Sequence, residues 1–362
     1  MEDPVKSLMR LLSFGVASVL LLAVGCGVNT SSPGSSGPTG SAASIVYVIQ
    51  NDPFSPVTSS ILELPANGQG SVTPTATLNP PANTVFFAVA VDQSGNLCVG
   101  AVTGVVWEIF EYAAGATGVA TPMRTIYLSS SFALLAVDST GQIYTSGLSG
   151  INVFAANASG NATPIRQIPA TSTTLDYPFG IAVDSGQNIY IANAANILVF
   201  SSTANGNLAP ARTITWSNSQ FGLALYGVAV DTDGDIFAAT YGCPPLTAIP
   251  CTSSSQILQF APDSNGAATP TNVLTILPNA NFPNSNTTAQ GIAVDGAGNL
   301  YTQVTTITNL ILPGGSGLGV PEAEALSVEV FTPGQTGSSA PAQTITSTAL
   351  TESGPWGGLA IH

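Results

Sequence analysis

Gly291-Ile-Ala-Val-Asp-Gly-Ala-Gly-Asn-Leu-Tyr301 is the stretch on which the reading of this chain turns. An apolar run ends in Asp, a Gly-bearing turn follows, and a second apolar run opens on Leu-Tyr. An Asp at the head of such a turn accepts backbone N–H bonds, and Gly supplies the positive φ that a tight hairpin needs. The pattern recurs as Ala88–Asp92 before Leu97 and Cys98, Leu134–Asp138 before Ile143 and Tyr144, Gly180–Asp184 before Ile189 and Tyr190, and Gly227–Asp231 before Ile236 and Phe237. In the third of these, Asp184-Ser-Gly-Gln-Asn, the Gly comes one place early, so that hairpin should differ slightly.

Working outward, a third apolar run ends in Phe110, Phe154, Phe200, Phe260 and Phe331. The motif G-x-x-x-P follows six times, as Gly70/Pro74, Gly118/Pro122, Gly160/Pro164, Gly206/Pro210, Gly266/Pro270 and Gly337/Pro341. A fourth run is anchored by Ile126, Ile168, Ile214, Leu274 and Ile345. Short apolar runs between turn signals read as strands, not helices. A period of about 46 residues marks an array of identical supersecondary units. Four sequential antiparallel strands per unit give an all-β fold, the blades of a β-propeller.

The two ends complete a sixth blade. Ile45–Ile49 is a second-type strand without a first, followed by Ile61–Leu64 and Thr75–Leu78, while Gly358–His362 is a first-type strand without a successor. Joined, they close the ring and remove the open edges of a linear array. The repeated Gly-Ile-Ala-Val-Asp-x-x-Gly-Asn-Ile-Tyr pattern resembles the NHL repeat over about residues 45–362. The resemblance implies a six-bladed NHL-like propeller, a scaffold that relatives use to bind proteins, glycans or RNA and, in some cases, for catalysis. It implies no single activity, because function is grafted on folds.

Upstream, Leu11–Val24 is apolar, preceded by Arg10 and followed by Gly25 and Cys26. Its length suits a secretory signal better than a membrane span of about 20 residues. Ala23-Val-Gly-Cys26 resembles a bacterial lipobox, so residues 1–26 are read as a lipoprotein signal peptide with Cys26 lipidated; an ordinary signal peptide is the alternative. Residues 27–44, rich in Ser, Gly and Pro, read as a flexible tether, and residues 45–362 as the propeller. Translation starts at Met1 or at Met9, where Met9-Arg10 is the more conventional beginning. The expected location is the bacterial cell envelope, with the outer membrane favoured because Gly27 is not Asp.

Charged residues make up 7% of the chain, with a formal net charge of −14, against about 25% charged in average proteins. Lys6 and Arg10 lie in the leader, leaving Arg124, Arg166 and Arg212 as the only cations after it. Such a surface cannot neutralise a phosphate backbone, which argues against a nucleic-acid partner. In an oxidising envelope Cys243 and Cys251, which share one loop, are expected to form a disulfide. Cys98, inside a strand, is expected to be a buried free thiol.

Few residues carry chemistry. The aspartates are explained by their turns. Asp231-Thr-Asp-Gly-Asp235 resembles the start of a calcium loop, but the twelfth position is Gly242, where a bidentate Glu is required. The three arginines share one repeat position on the outer strand, as a guard against edge pairing or as an anion-binding strip. His362, the only histidine, stands where other copies have Asp. With no Ser-His or Cys-His arrangement, the usual bases and nucleophile activators are missing, and neither a cofactor nor a metal is expected. The turns between strands 1–2 and 3–4 are short. The 2–3 and 4–1 connections share the opposite face and vary widely, with insertions at Asn51–Ser60, Thr240–Gln256 and Val304–Ser327. Variable loops on a rigid scaffold commonly carry binding. Phe87, Phe179, Tyr226 and Trp356 are the candidate ligand-binding residues on that face. The expected function is non-catalytic binding of an envelope protein, peptide or glycan; the alternative is a metal-dependent, gluconolactonase-like hydrolase.

Overall fold

Turn chemistry sets each hairpin as expected. Asp92, Asp138, Asp184, Asp231 and Asp295 each accept, at Oδ1, the N–H four residues on, at 2.8–2.9 Å. Gly95, Gly141, Gly234 and Gly298 take φ of +80 to +85°. In the Asp184 hairpin the same backbone turn forms, with Gln187 at φ +63° in the glycine's place and its N–H on the Asp184 carbonyl at 2.9 Å. The early Gly therefore changes which residue is strained and leaves the hairpin intact.

The computed structural model describes residues 27–28, 44–51, 59–132, 134–147, 149–170, 175, 178–216, 225–240, 254–277, 286–308, 322–350 and 358–362. It is a six-bladed β-propeller in which every blade is an antiparallel sheet of four principal strands. Blade 1 runs, from channel to rim, Leu359–Ile361, Ile45–Asn51, Ser59–Pro65 and Ala76–Leu78. Blade 2 is Thr84–Val91, Leu97–Thr103, Val106–Tyr112 and Arg124–Leu128, and blade 3 is Leu134–Val137, Ile143–Gly147, Gly150–Phe154 and Arg166–Pro169. Blade 4 comprises Pro178–Val183, Ile189–Asn193, Asn196–Phe200 and Arg212–Thr215; blade 5 comprises Leu225–Val230, Ile236–Thr240, Gln256–Phe260 and Asn272–Thr275. Blade 6 is Asn286–Val294, Leu300–Thr308, Glu322–Phe331 and Gln343–Thr346. The first strands of successive blades lie against one another all the way round, which closes the ring.

Closure falls in blade 1, where Val46, Tyr47 and Val48 pair with Ile361, Ala360 and Leu359. His362 N–H bonds to Ile45 O at 3.0 Å and Ile45 N–H returns to His362 O at 3.1 Å. On the channel side of this strand Gly27 and Val28, within the segment read as tether, pair in parallel with Leu359 and Ala360.

Two expectations need correction. In blade 2 the residue opposite Leu97 is Tyr112, as Phe154 is opposite Ile143, so Tyr112 and not Phe110 ends the third strand. Residues two apart share a face, so either aromatic satisfies the sequence pattern. In blade 6 both ends of the expected insertion Val304–Ser327 are strand, because the second strand runs to Thr308 and the third begins at Glu322, while residues 309–321 lie outside the described residues. Its Thr-rich, β-branched sequence prolongs the hairpin.

The G-x-x-x-P motif is the clasp between blades. Its glycines adopt φ of +61 to +78°, and each docks on the outer strand of the preceding blade. Gly118 N–H donates to Thr77 O and its carbonyl accepts from Asn79, both at 2.7 Å; Gly160 does the same with Thr125 (2.7 Å) and Tyr127 (2.8 Å). Gly337 repeats it with Val273 and Thr275, and Gly70 closes the circle against Ile345. After each Pro the next N–H bonds back to the third strand, as Met123 does to Glu111 O at 2.7 Å. The apolar core lies in the seams so formed, for example Tyr47, Ile49 and Ile61 against Val89, Leu97 and Tyr112 between blades 1 and 2.

Candidate functional site

The channel-lining strands carry a feature absent from the repeat pattern. Among the described residues four of them bulge at one equivalent position, between Phe86 and Ala88, Pro178 and Gly180, Leu225 and Gly227, and Ala289 and Gly291. The extra residues that the bulges insert are Phe87, Phe179, Tyr226 and Gln290. A bulge frees backbone groups and re-aims the side chain it carries. The freed N–H groups must find partners, and the preceding blade supplies them. Phe86 N–H bonds to Ser59 Oγ at 2.7 Å, Leu225 N–H to Ala194 O at 2.7 Å, and Ala289 N–H to Ser255 Oγ at 3.1 Å. In blade 4 the position is Pro178, which has no N–H to satisfy.

These bulges stand at the end of the channel that faces the 2–3 and 4–1 connections. Phe179 of blade 4 and Tyr226 of blade 5 stack there, with ring centroids 5.0 Å apart and planes 1° from parallel. Phe179 is buried and Tyr226 half-buried. Beneath them the seam is closed by glycine. A Cβ on Gly180 would lie 2.8 Å from Val228 N, and one on Gly227 would lie 2.9 Å from Ile292 Cγ2. Gly180 and Gly227, next along the chain from the two aromatics, thus let blades 4, 5 and 6 approach closely.

Phe87 meets a different fate. It packs edge-on against Trp107 at 5.3 Å and Phe132 at 5.0 Å, filling the seam between blades 2 and 3. The structure brings Phe179 and Tyr226 together and separates Phe87 from them. Trp356 lies outside the described residues, as do Cys26 and the pair Cys243 and Cys251. Cys98 is a free thiol, 2% exposed, and burial pushes its pKa up.

The arginines serve neither reading that the sequence suggested. Each spans from its own blade to a 3–4 turn of the next. Arg124 pairs with Glu111 and donates to Ala158 O at 3.0 Å. Arg166 bonds to Ser202 O and, at 3.3 Å, to the Tyr144 hydroxyl. Arg212 reaches Pro262 O at 2.6 Å, Ser264 O at 3.0 Å and the Tyr190 hydroxyl at 3.2 Å. Tyr144 and Tyr190 donate in turn to Asp138 and Asp184 at 2.8 and 3.0 Å. Arg166 and Arg212 also sit over the rings of Tyr144 and Tyr190, 5.7 and 5.8 Å from the centroids, a cation–π geometry. Burial and the adjacent aspartate push the Tyr190 phenol to about 12. The edge position of one blade is thus a seam position, because the next blade's turn covers it.

The Asp231 turn holds its own N–H donors, from Asp233 at 3.0 Å and Asp235 at 2.8 Å. His362 closes the ring with its backbone, and its exposed ring approaches Gln93 O at 3.3 Å. Among the described residues no three His, Cys, Asp or Glu side chains converge in a way that could hold a metal ion.

No family model matches the chain, and no curated protein matches it. Among solved structures it is similar to a structural-genomics protein from Lactobacillus plantarum, with 12% identity, 88% of this chain and 98% of that one covered, and a TM-score of 0.51. It is also similar to Kuenenia stuttgartiensis hydrazine synthase, with 15% identity, 68% and 63% covered and a TM-score of 0.46, so the match spans less than two thirds of that chain. A Trichoderma reesei carbohydrate-active enzyme of family AA12 matches with 12% identity, 78% and 89% coverage and a TM-score of 0.45. At these identities the likeness concerns the fold alone.

Proposed function

We propose that this propeller is a non-catalytic binding scaffold that recognises a protein, peptide or glycan of the bacterial envelope through its loop-rich face. The stacked pair Phe179 and Tyr226 carries the reading. Aromatic side chains on fixed backbone lose little freedom on binding, and such anchors dominate interface energetics. The bulges hold the pair at the mouth of the channel, next to the close approach of blades 4 and 5 at Gly180. On this reading Cys26 is the lipid anchor and residues 27–44 the tether, with the outer membrane favoured.

The metal-dependent hydrolase alternative calls for carboxylates and asparagines converging on the channel, and no observation favours it over binding. The test is comparative binding of the parent and of the double variant Phe179→Ala, Tyr226→Ala to arrays of peptides and glycans. Loss of binding with retained fold supports the reading, and undiminished binding removes it.

A further inference from the structure

The repeat offers its own control for every position. One row crosses the second, third and fourth strands at mid-blade and faces the preceding blade. In blades 1, 2, 4 and 5 it reads Val48–Leu62–Thr77, Val99–Phe110–Thr125, Ile191–Leu198–Thr213 and Ala238–Leu258–Val273. Its two inner members are apolar in all four, as a dry seam requires. In blade 6 it reads Thr302–Glu329–Thr344, and Thr302 spends its hydroxyl on Gly291 O at 2.8 Å. In blade 3 it is Thr145–Asn152–Gln167, three neutral polar side chains in register.

These three line a cleft between blades 2 and 3 with a cavity volume of about 50 Å³ that opens to solvent. Thr145 is 1% exposed and its Oγ1 has no partner, whereas buried hydroxyls are ordinarily bonded. Gln167 Nε2 donates to Asn152 Oδ1 at 3.0 Å, which leaves the Asn152 amide nitrogen to donate and the Gln167 carbonyl oxygen to accept. Tyr127, 44% exposed, stands at the rim, and Phe132 and Leu128 form an apolar wall. Among the described residues no charged side chain lines the space, and Arg124 and Arg166 are engaged elsewhere.

We propose that this seam cleft is a binding site for a neutral sugar ring, distinct from the Phe179 and Tyr226 pair at the channel mouth. A pyranose presents C–H faces to apolar and aromatic walls and hydroxyls, each donor and acceptor, to the Thr145, Asn152 and Gln167 row. An anionic ligand would find no countercharge, and an apolar one would leave Thr145 Oγ1 without the partner it lacks.

Saturation-transfer NMR on the full chain with D-glucose, D-galactose, N-acetyl-D-glucosamine and D-glucuronate tests the proposal. A neutral sugar is expected to bind with Kd on the order of 1 mM, and glucuronate at least tenfold more weakly. Thr145→Val, nearly isosteric, should raise Kd about tenfold without lowering the melting temperature. Asn152→Leu, which restores the residue found in blade 4, should abolish binding. The variant Phe179→Ala, Tyr226→Ala should bind sugar as the parent does, which separates this site from the proposed loop-face function. The proposal is overturned if no neutral sugar gives a saturable signal, if folded Thr145→Val binds like the parent, or if the loop-face variant loses the sugar.

Discussion

Glu63 faces Ala76 across the third and fourth strands of blade 1, in the register at which Glu111 meets Arg124 in blade 2. Glu111 has its guanidinium partner. Glu63 is 6% exposed, its Oε1 has no partner, and burial pushes its pKa up. Blade 1 thus keeps the carboxylate of this pair and lacks the cation.

Ala76→Arg should supply it. The new guanidinium would pair with Glu63 and point toward the 3–4 turn of blade 2, as Arg124 does toward Ala158. A charge-assisted bond to a buried acceptor contributes about 1.5–3 kcal/mol, so the melting temperature at pH 8 should rise by several degrees. An unchanged or lower value would show that blade 1 cannot seat the staple.

Glu329 in blade 6 sets a pH dependence. Burial raises its pKa from 4.5 to about 7, and its Oε2 has no partner. The folded state holds this proton more tightly than the unfolded chain. Its contribution is therefore complete below the ordinary carboxylate range and is lost as pH rises through about 7. Thermal stability should fall between pH 4.5 and 8, with Glu63 acting in the same direction. Glu329→Gln should flatten the profile and stabilise the protein at pH 8 by about 2 kcal/mol. Parallel profiles for parent and variant would contradict this origin.

The clasp glycines make a graded prediction. A Cβ on Gly70, Gly118, Gly160, Gly206, Gly266 or Gly337 would meet nothing within 4 Å, yet all six have positive φ. Each Gly→Ala change should therefore cost only the left-handed backbone term of about 1–2 kcal/mol, nearly the same at every seam. Gly150→Ala should cost far more, because its Cβ would lie 2.2 Å from Ile168 O. Melting temperatures of the seven variants check both statements, and a wide spread among the six would show that the clasps are not equivalent.

Strand number, hairpin chemistry and ring closure were legible because each repeats: an Asp-Gly turn or a G-x-x-x-P motif seen five or six times outweighs local ambiguity. The bulges at Phe87, Phe179 and Tyr226 were not legible. A bulge is a one-residue difference between paired strands, and no turn residue marks it. The arginine staples were misread for a related reason. Counted along one blade, Arg166 lies on an edge, but the carbonyls it binds belong to a turn 36 residues later. By contrast, the polar row Thr145–Asn152–Gln167 was available to sequence reading once strand register was known, since aligning the repeats shows where apolar residues give way.

The central claim is tested most directly by the affinity of one peptide or glycan, identified on the arrays with the parent, for three folded proteins measured side by side. These are the parent, Phe179→Ala with Tyr226→Ala, and a control with Ser94, Thr140 and Ala297 changed in the opposite hairpins; circular dichroism verifies the fold of each. Truncating buried aromatic anchors costs about 2 kcal/mol or more, so the aromatic variant should bind at least about thirtyfold more weakly, while the hairpin control matches the parent. Equal affinity for the parent and the aromatic variant, or a loss confined to the hairpin control, would contradict the assignment of binding to the loop-rich face.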